Sequence, residues 1–290
     1  MSEFPDERGP SGPADGHVRD APSDSDDLVL VDAPGEHVRR ITLNRPAKRN
    51  AISTPLRVAL LDRLRAHDLD DDVRVTVVRG AGPCFSAGYD LGGGSLMDGS
   101  PFHSAPGPGQ WARQANDTWF SVWDLAKPVI AQVHGYAIAG GTELASACDL
   151  VYVADDARIS YPIVRIASPP DWQYHTVLLG MRRAMELMLT GDPMTGEEAA
   201  RIGWANRAFP ADRLEDEVLA IAARVASVPS DLTQINKRSV HRAFDVWGAR
   251  AAIRAGTELQ ALAGQSATGR AFGEQALANA KRAARPPQDG

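Results

Sequence analysis

The sequence predicts an α/β protein with a largely parallel core and an α-helical C-terminal part. Short apolar, β-branched runs recur at 28–31, 38–43, 73–79, 129–133 and 150–153. Segments with helical apolar spacing lie between them, as in crossover units. Helical patterns alone fill the last third, and there is no internal repeat. The expected organisation is a disordered tail over 1–26, a core over 27–210, a helical subdomain over 211–283 and a frayed tail over 284–290.

Residues 1–26 are rich in Pro, Gly, Asp and Ser and hold too little apolar surface to offset the entropy of ordering. Leu28–Val31 and Val38–Leu43, joined by a turn over Asp32–Glu36, read as a hairpin. A basic loop follows (Asn44–Ala51), then a helix from Thr54 to Ala66 with Thr54 as its cap and Pro55 in its first turn. Val73–Arg79 reads as a strand, 92–110 as a Gly/Ser/Pro-rich loop, and Trp111–Leu125 as a helix with Trp119, Phe120 and Trp123 on one side. Thr195 and Glu198 form a capping box for a helix that stops at Gly203. Helices are expected near 218–228, 231–243 and 251–262.

The chain is organised around residues 126–153, AKPVIAQVHGYAIAGGTELASACDLVYV. A buried strand over Val129–Val133 runs into small residues through Gly141, and the turn becomes the start of an Ala-rich helix. Such a turn brings backbone N–H groups and the positive end of a helix dipole close to a ligand. Glu143 stands just inside, among small apolar neighbours, where it can act as an acid or base. The same pattern also suits a tightly packed turn whose glutamate only answers the dipole.

Charge and composition narrow the classes. Thirty-one Lys and Arg stand against 37 Asp and Glu, a net charge of −6, with both signs interspersed. That is no electrostatic footprint for nucleic acid. No apolar run approaches the roughly 20 residues of a membrane span, and no signal pattern opens the chain. Cys84 and Cys148 form neither a disulfide framework nor a metal-ligand spacing. A reduced, cytoplasmic protein without a bound metal is expected.

Four motifs in order, ITLNRPAKRNA, FSAGYDL, AKPVIAQVHGYAIAGGTELASACD and LTGDPMTGEEAARIGWANRAFP, give the chain a resemblance to the enoyl-CoA hydratase/isomerase (crotonase) superfamily over about 28–275. The resemblance implies a crotonase-like spiral core of ββα repeats with a helical C-terminal trimerisation subdomain. It implies an acyl-CoA thioester as substrate, no permanently bound cofactor, and a homotrimer or a hexamer of two trimers. It also implies an oxyanion hole made by the backbone N–H groups of Tyr89 and Gly140. Losing one such donor typically costs about 2.7–4 kcal/mol of barrier. Coenzyme A would be cradled by Lys48, Arg49, Ala51, Ala87 and Asp90, with Lys237 reaching its phosphates across a subunit boundary.

Glu143 matches one of the two glutamates that hydratases of this family use. The other should follow Pro162, where Ile163 stands instead. Asp171, eight residues on, matches an aspartate of the dienoyl-CoA isomerase and 4-chlorobenzoyl-CoA dehalogenase branches, which makes Glu143 and Asp171 a candidate pair. Asp171 also suits a turn after Pro169-Pro170. Trp172 and Tyr174 are candidates for the acyl pocket, and His175 and His134 read as structural. The expected activity is enoyl-CoA hydratase-like. The alternatives are double-bond isomerisation by the same pair, hydrolysis with Asp171 as nucleophile, and binding of CoA esters without catalysis.

Overall fold

A computed structural model of the chain describes residues 28–90, 110–165 and 172–268, with isolated positions up to 278. The segments 1–26 and 284–290, and all but the last residue of the loop read over 92–110, lie outside the described residues. Strands β1 (Val29–Gly35) and β2 (Val38–Leu43) form the predicted antiparallel hairpin. The first strand runs through the segment read as a turn, and its register shifts between Asp32 and Gly35. Helix α1 spans Thr54–Leu69. Its cap is Ser53 rather than Thr54: the Ser53 hydroxyl accepts the Leu56 N–H, which leaves Thr54 and Pro55 as the first helical residues.

Strands β3 (Val75–Gly80), β4 (Val129–Val133), β6 (Leu150–Ala154) and β9 (Arg207–Phe209) continue the sheet in the order β1-β2-β3-β4-β6-β9. Every pairing after the hairpin is parallel. All five residues of β4 are buried, as expected of a parallel strand covered on both faces. A second sheet, β5-β7-β8, is built from Tyr136–Ile138, Arg158–Ser160 and Met194–Thr195. Thus β4 and β5 precede helix α3 (Gly140–Ala147), and β6 and β7 precede helix α4 (His175–Thr190), a ββα alternation.

The last third is not purely helical. Strands β8 and β9 fall within it, and runs of two or three residues are too short to show a period. Helix α5 (Gly196–Arg201) carries the predicted capping box. Helix α6 (Leu214–Ala226) packs on β3, β4 and β6. Helix α2 (Gln110–Trp123) touches α3 and α8 (Ala249–Gln265), and α8 in turn touches α7 (Ser230–Val246). The main core runs from the sheet through α1, α2, α3 and α6.

Candidate active site

Two backbone segments meet at the site, and the first is fastened from behind. Asn50 is fully buried, and its amide donates to the carbonyls of Ala81 and Cys84, each at 2.8 Å. Its Oδ1 accepts the Arg45 N–H at 2.9 Å. Ser86 Oγ donates to the Asn50 carbonyl at 2.9 Å and accepts the Gly88 N–H at 3.1 Å. The loops around 45–52 and 84–90 are thereby tied into one unit.

Ile52 and Tyr89 pair as a parallel bridge. The Ile52 N–H donates to the Gly88 carbonyl at 2.7 Å and the Asp90 N–H to the Ile52 carbonyl at 3.0 Å. That pattern directs the N–H of Tyr89 itself away from Ile52. Gly88 has φ +93°, a conformation that side chains rarely adopt.

The second segment is the start of α3. Ala139 precedes it with φ 48° and ψ −116°, an uncommon conformation for a residue with a Cβ and the kind that collects at functional sites. It turns the chain so that Gly140 opens the helix. A first helical residue has no intrahelical acceptor for its N–H, and the dipole adds partial positive charge there.

All eight residues of α3 are buried, and Glu143 is 0% exposed. Its Oε2 accepts the Tyr89 hydroxyl at 2.5 Å and the Trp119 indole N–H at 3.2 Å. The indole N–H also lies 3.0 Å from the Tyr89 hydroxyl oxygen. Oε1 faces the Trp172 N–H at 3.4 Å. A buried carboxylate is tolerable when its oxygens are hydrogen-bonded in this way.

Trp172 does reach the site, through its backbone N–H. Its ring is fully buried, with centroids 4.6 Å from Phe120 and 5.4 Å from Trp123. Tyr174 lies behind α3. Burial raises its pKa strongly, against the lowering effect of bonds with Thr142, Ser146 and Trp204. His175 stacks on Tyr174 at 4.0 Å, and burial pushes it down to about 3, so it is a neutral core side chain. His134 Nε2 lies 2.9 Å from the Gly82 carbonyl oxygen, a backbone partner.

In the two loops, Lys48 and Arg49 are exposed, Ala51 and Ala87 are half-buried, and Asp90 pairs with Arg45 at 2.8 Å. Lys237 is committed elsewhere: its side chain is 7% exposed, and its ammonium sits 2.9 Å from Asp149 and 3.1 Å from the Lys127 carbonyl. Ile163 lies half-buried in a short 3-10 turn after β7. Asp171 lies outside the described residues. Among the described residues, no group of three or more His, Cys, Asp or Glu is placed to hold a metal.

Sequence reasoning missed the Tyr89 hydroxyl, Trp119 and Arg57. A buried tryptophan needs an acceptor for its N–H, and that requirement was the one available signal for Trp119. Arg57, from α1, is 2% exposed; burial lowers its pKa, and the nearby Tyr89 opposes this.

Comparison with known proteins shows the family. The model of the enoyl-CoA hydratase/isomerase family matches residues 34–275. The protein named "Probable enoyl-CoA hydratase echA8" from Mycobacterium leprae is 32% identical over 226 residues, covering 76% of this chain and 83% of its own. "Enoyl-CoA hydratase domain-containing protein 3, mitochondrial" from Danio rerio is 32% identical over 222 residues, covering 74% and 73%. The crystal structure of an enoyl-CoA hydratase/isomerase from Xanthobacter autotrophicus Py2 superposes with a TM-score of 0.78 at 30% identity, covering 88% of this chain and 95% of that one. The chain therefore belongs to the enoyl-CoA hydratase/isomerase family.

Proposed function

We propose that this protein binds a 2-enoyl-CoA thioester and adds water across its double bond. The thioester oxygen is held by the N–H groups of Tyr89 and Gly140, and Glu143 carries the proton. The observation that supports this most is the meeting of three features at one point. These are the Gly88–Tyr89 turn, the strained entry into α3, and a fully buried carboxylate in the first turn of that helix. Donors fixed where negative charge develops stabilise an enolate without reorganisation.

The exposed charges of Lys48 and Arg49 suit the phosphates of coenzyme A, next to the backbone of Ala51, Ala87 and Asp90. The acyl chain would run toward Trp172. Free, buried Cys84 and Cys148 suit a reducing cytoplasm, and no described helix is long and apolar enough to cross a membrane. A homotrimer, or a hexamer of two trimers, would cover the exposed Leu232, Ile235, Val240 and Trp247 around α7.

The test is incubation with crotonyl-CoA, following the absorbance of the conjugated thioester and the mass of the product. Loss of conjugation with a mass gain of one water, abolished in Glu143→Gln, supports hydration. An absorbance change without a mass change would replace hydration by isomerisation. A hydrolysed thioester would point to Asp171 as a nucleophile. Binding without turnover would leave a CoA-ester-binding protein.

A further inference from the structure

We propose that Tyr89 contributes its side chain as well as its backbone. Its phenol, held by Trp119, orients Glu143 and sets its basicity, so that Glu143 works with a phenol in place of a second carboxylate. This rests on the reading of Glu143 as the proton carrier.

The direction of the hydrogen bonds follows from donor chemistry. An indole N–H can only donate. At 3.0 Å from the Tyr89 oxygen it uses that oxygen as acceptor, so the phenol's own hydrogen goes elsewhere, and Glu143 Oε2 is 2.5 Å away. Oε2 also faces the indole N–H at 3.2 Å. One carboxylate oxygen is thus gripped by two donors from two elements, the loop after β3 and helix α2. The ring cannot swing freely, because it lies on Gly140: an ideal Cβ there would stand 2.9 Å from two of its atoms. The same glycine therefore opens the helix and seats the phenol.

With Oε2 tethered, one carboxylate can complete a hydration. A water O–H bond breaks and its proton passes to Glu143. The water oxygen bonds to Cβ while the double-bond pair moves toward the thioester oxygen. Glu143 then returns that proton to Cα, and the carboxylate is restored. Hydrogen bonds donated to a carboxylate favour its charged form, so removing one makes it more basic. Tyr174 lies close enough to Glu143, and Arg57 to Tyr89, to interact with them electrostatically.

Tyr89→Phe tests this because it keeps the ring on Gly140 and removes only the hydroxyl. The expected result is a fall in kcat/KM of about 10- to 100-fold, the usual size for one hydrogen bond to a charged group. Losing the donor raises the pKa of Glu143, so the acid limb of the kcat/KM profile moves up by about one pH unit. A purely structural role would not move that limb. In parallel, infrared titration of glutamate labelled with carbon-13, assigned by loss of the band in Glu143→Gln, reads the same pKa without substrate.

An active wild type with an unchanged limb in Tyr89→Phe overturns the phenol's role and leaves the hydratase reading standing. The phenol's role also falls if Asp171→Asn, but not Tyr89→Phe, moves the limb. If the wild type turns over no enoyl-CoA, the hydratase reading fails. The infrared band then decides alone: an upward shift in Tyr89→Phe supports the tether, and no shift overturns it.

Discussion

Gly88 and Gly140 stand in close backbone apposition: a Cβ on Gly88 would lie 3.2 Å from the Gly140 nitrogen and 2.7 Å from the Ile138 carbonyl oxygen. The two N–H groups assigned to the thioester oxygen belong to Gly140 and to the residue that follows Gly88. Gly88→Ala therefore acts twice, through a positive φ and through a backbone clash. It should lower kcat/KM by about 100- to 1,000-fold, the size of losing one oxyanion donor. Steady-state kinetics on the folded variant, checked by circular dichroism, measures this.

Trp119→Phe tests the other side of the site. Trp119 is fully buried and donates to Glu143 and Tyr89. Phe keeps most of the packing but leaves a small void and removes a donor from a buried carboxylate. The expected destabilisation is about 2–4 kcal/mol, read by urea unfolding, with a fall in kcat.

Much of this site is legible in the residues themselves. The strand-turn-helix over 126–153 has the composition of a buried strand followed by small residues, so β4, α3 and the place of Glu143 follow directly. The partners of Glu143 do not follow. Tyr89 and Trp119 lie 54 and 24 residues away from it in sequence. Their bonds depend on how the loop after β3 and helix α2 pack against α3, which no local period encodes. Lys237 is no easier to place: the resemblance gives it the phosphates of coenzyme A across a subunit boundary, and within this chain its ammonium sits against Asp149, far away in sequence.

The Lys237–Asp149 pair makes its own prediction. Asp149 also accepts the Val129 N–H at 2.8 Å and faces His241 at 3.3 Å. Asp149→Ala leaves a buried ammonium uncompensated and should cost about 3–5 kcal/mol, measured by denaturant unfolding. Lys237→Met should also lose stability, while KM for a CoA ester stays within about twofold in the folded enzyme. A large rise in KM would instead assign Lys237 to CoA.

His175 sets a pH dependence of stability. Its folded pKa of about 3 lies below the ordinary value of 6.5, because burial opposes charging. Between those values the unfolded chain binds the extra proton, so stability falls as pH falls through this window. The slope from this group approaches about 1.4 kcal/mol per pH unit. His175→Gln should flatten the curve of unfolding free energy against pH over that range.

The most direct test of the central claim is to run the crotonyl-CoA reaction in deuterated water and analyse the product by mass spectrometry and NMR. Hydration by Glu143 predicts a 3-hydroxyacyl-CoA carrying one solvent deuteron at Cα, formed by the wild type and not by Glu143→Gln. Product formed equally well by Glu143→Gln, or a thioester recovered with no water added, would contradict it.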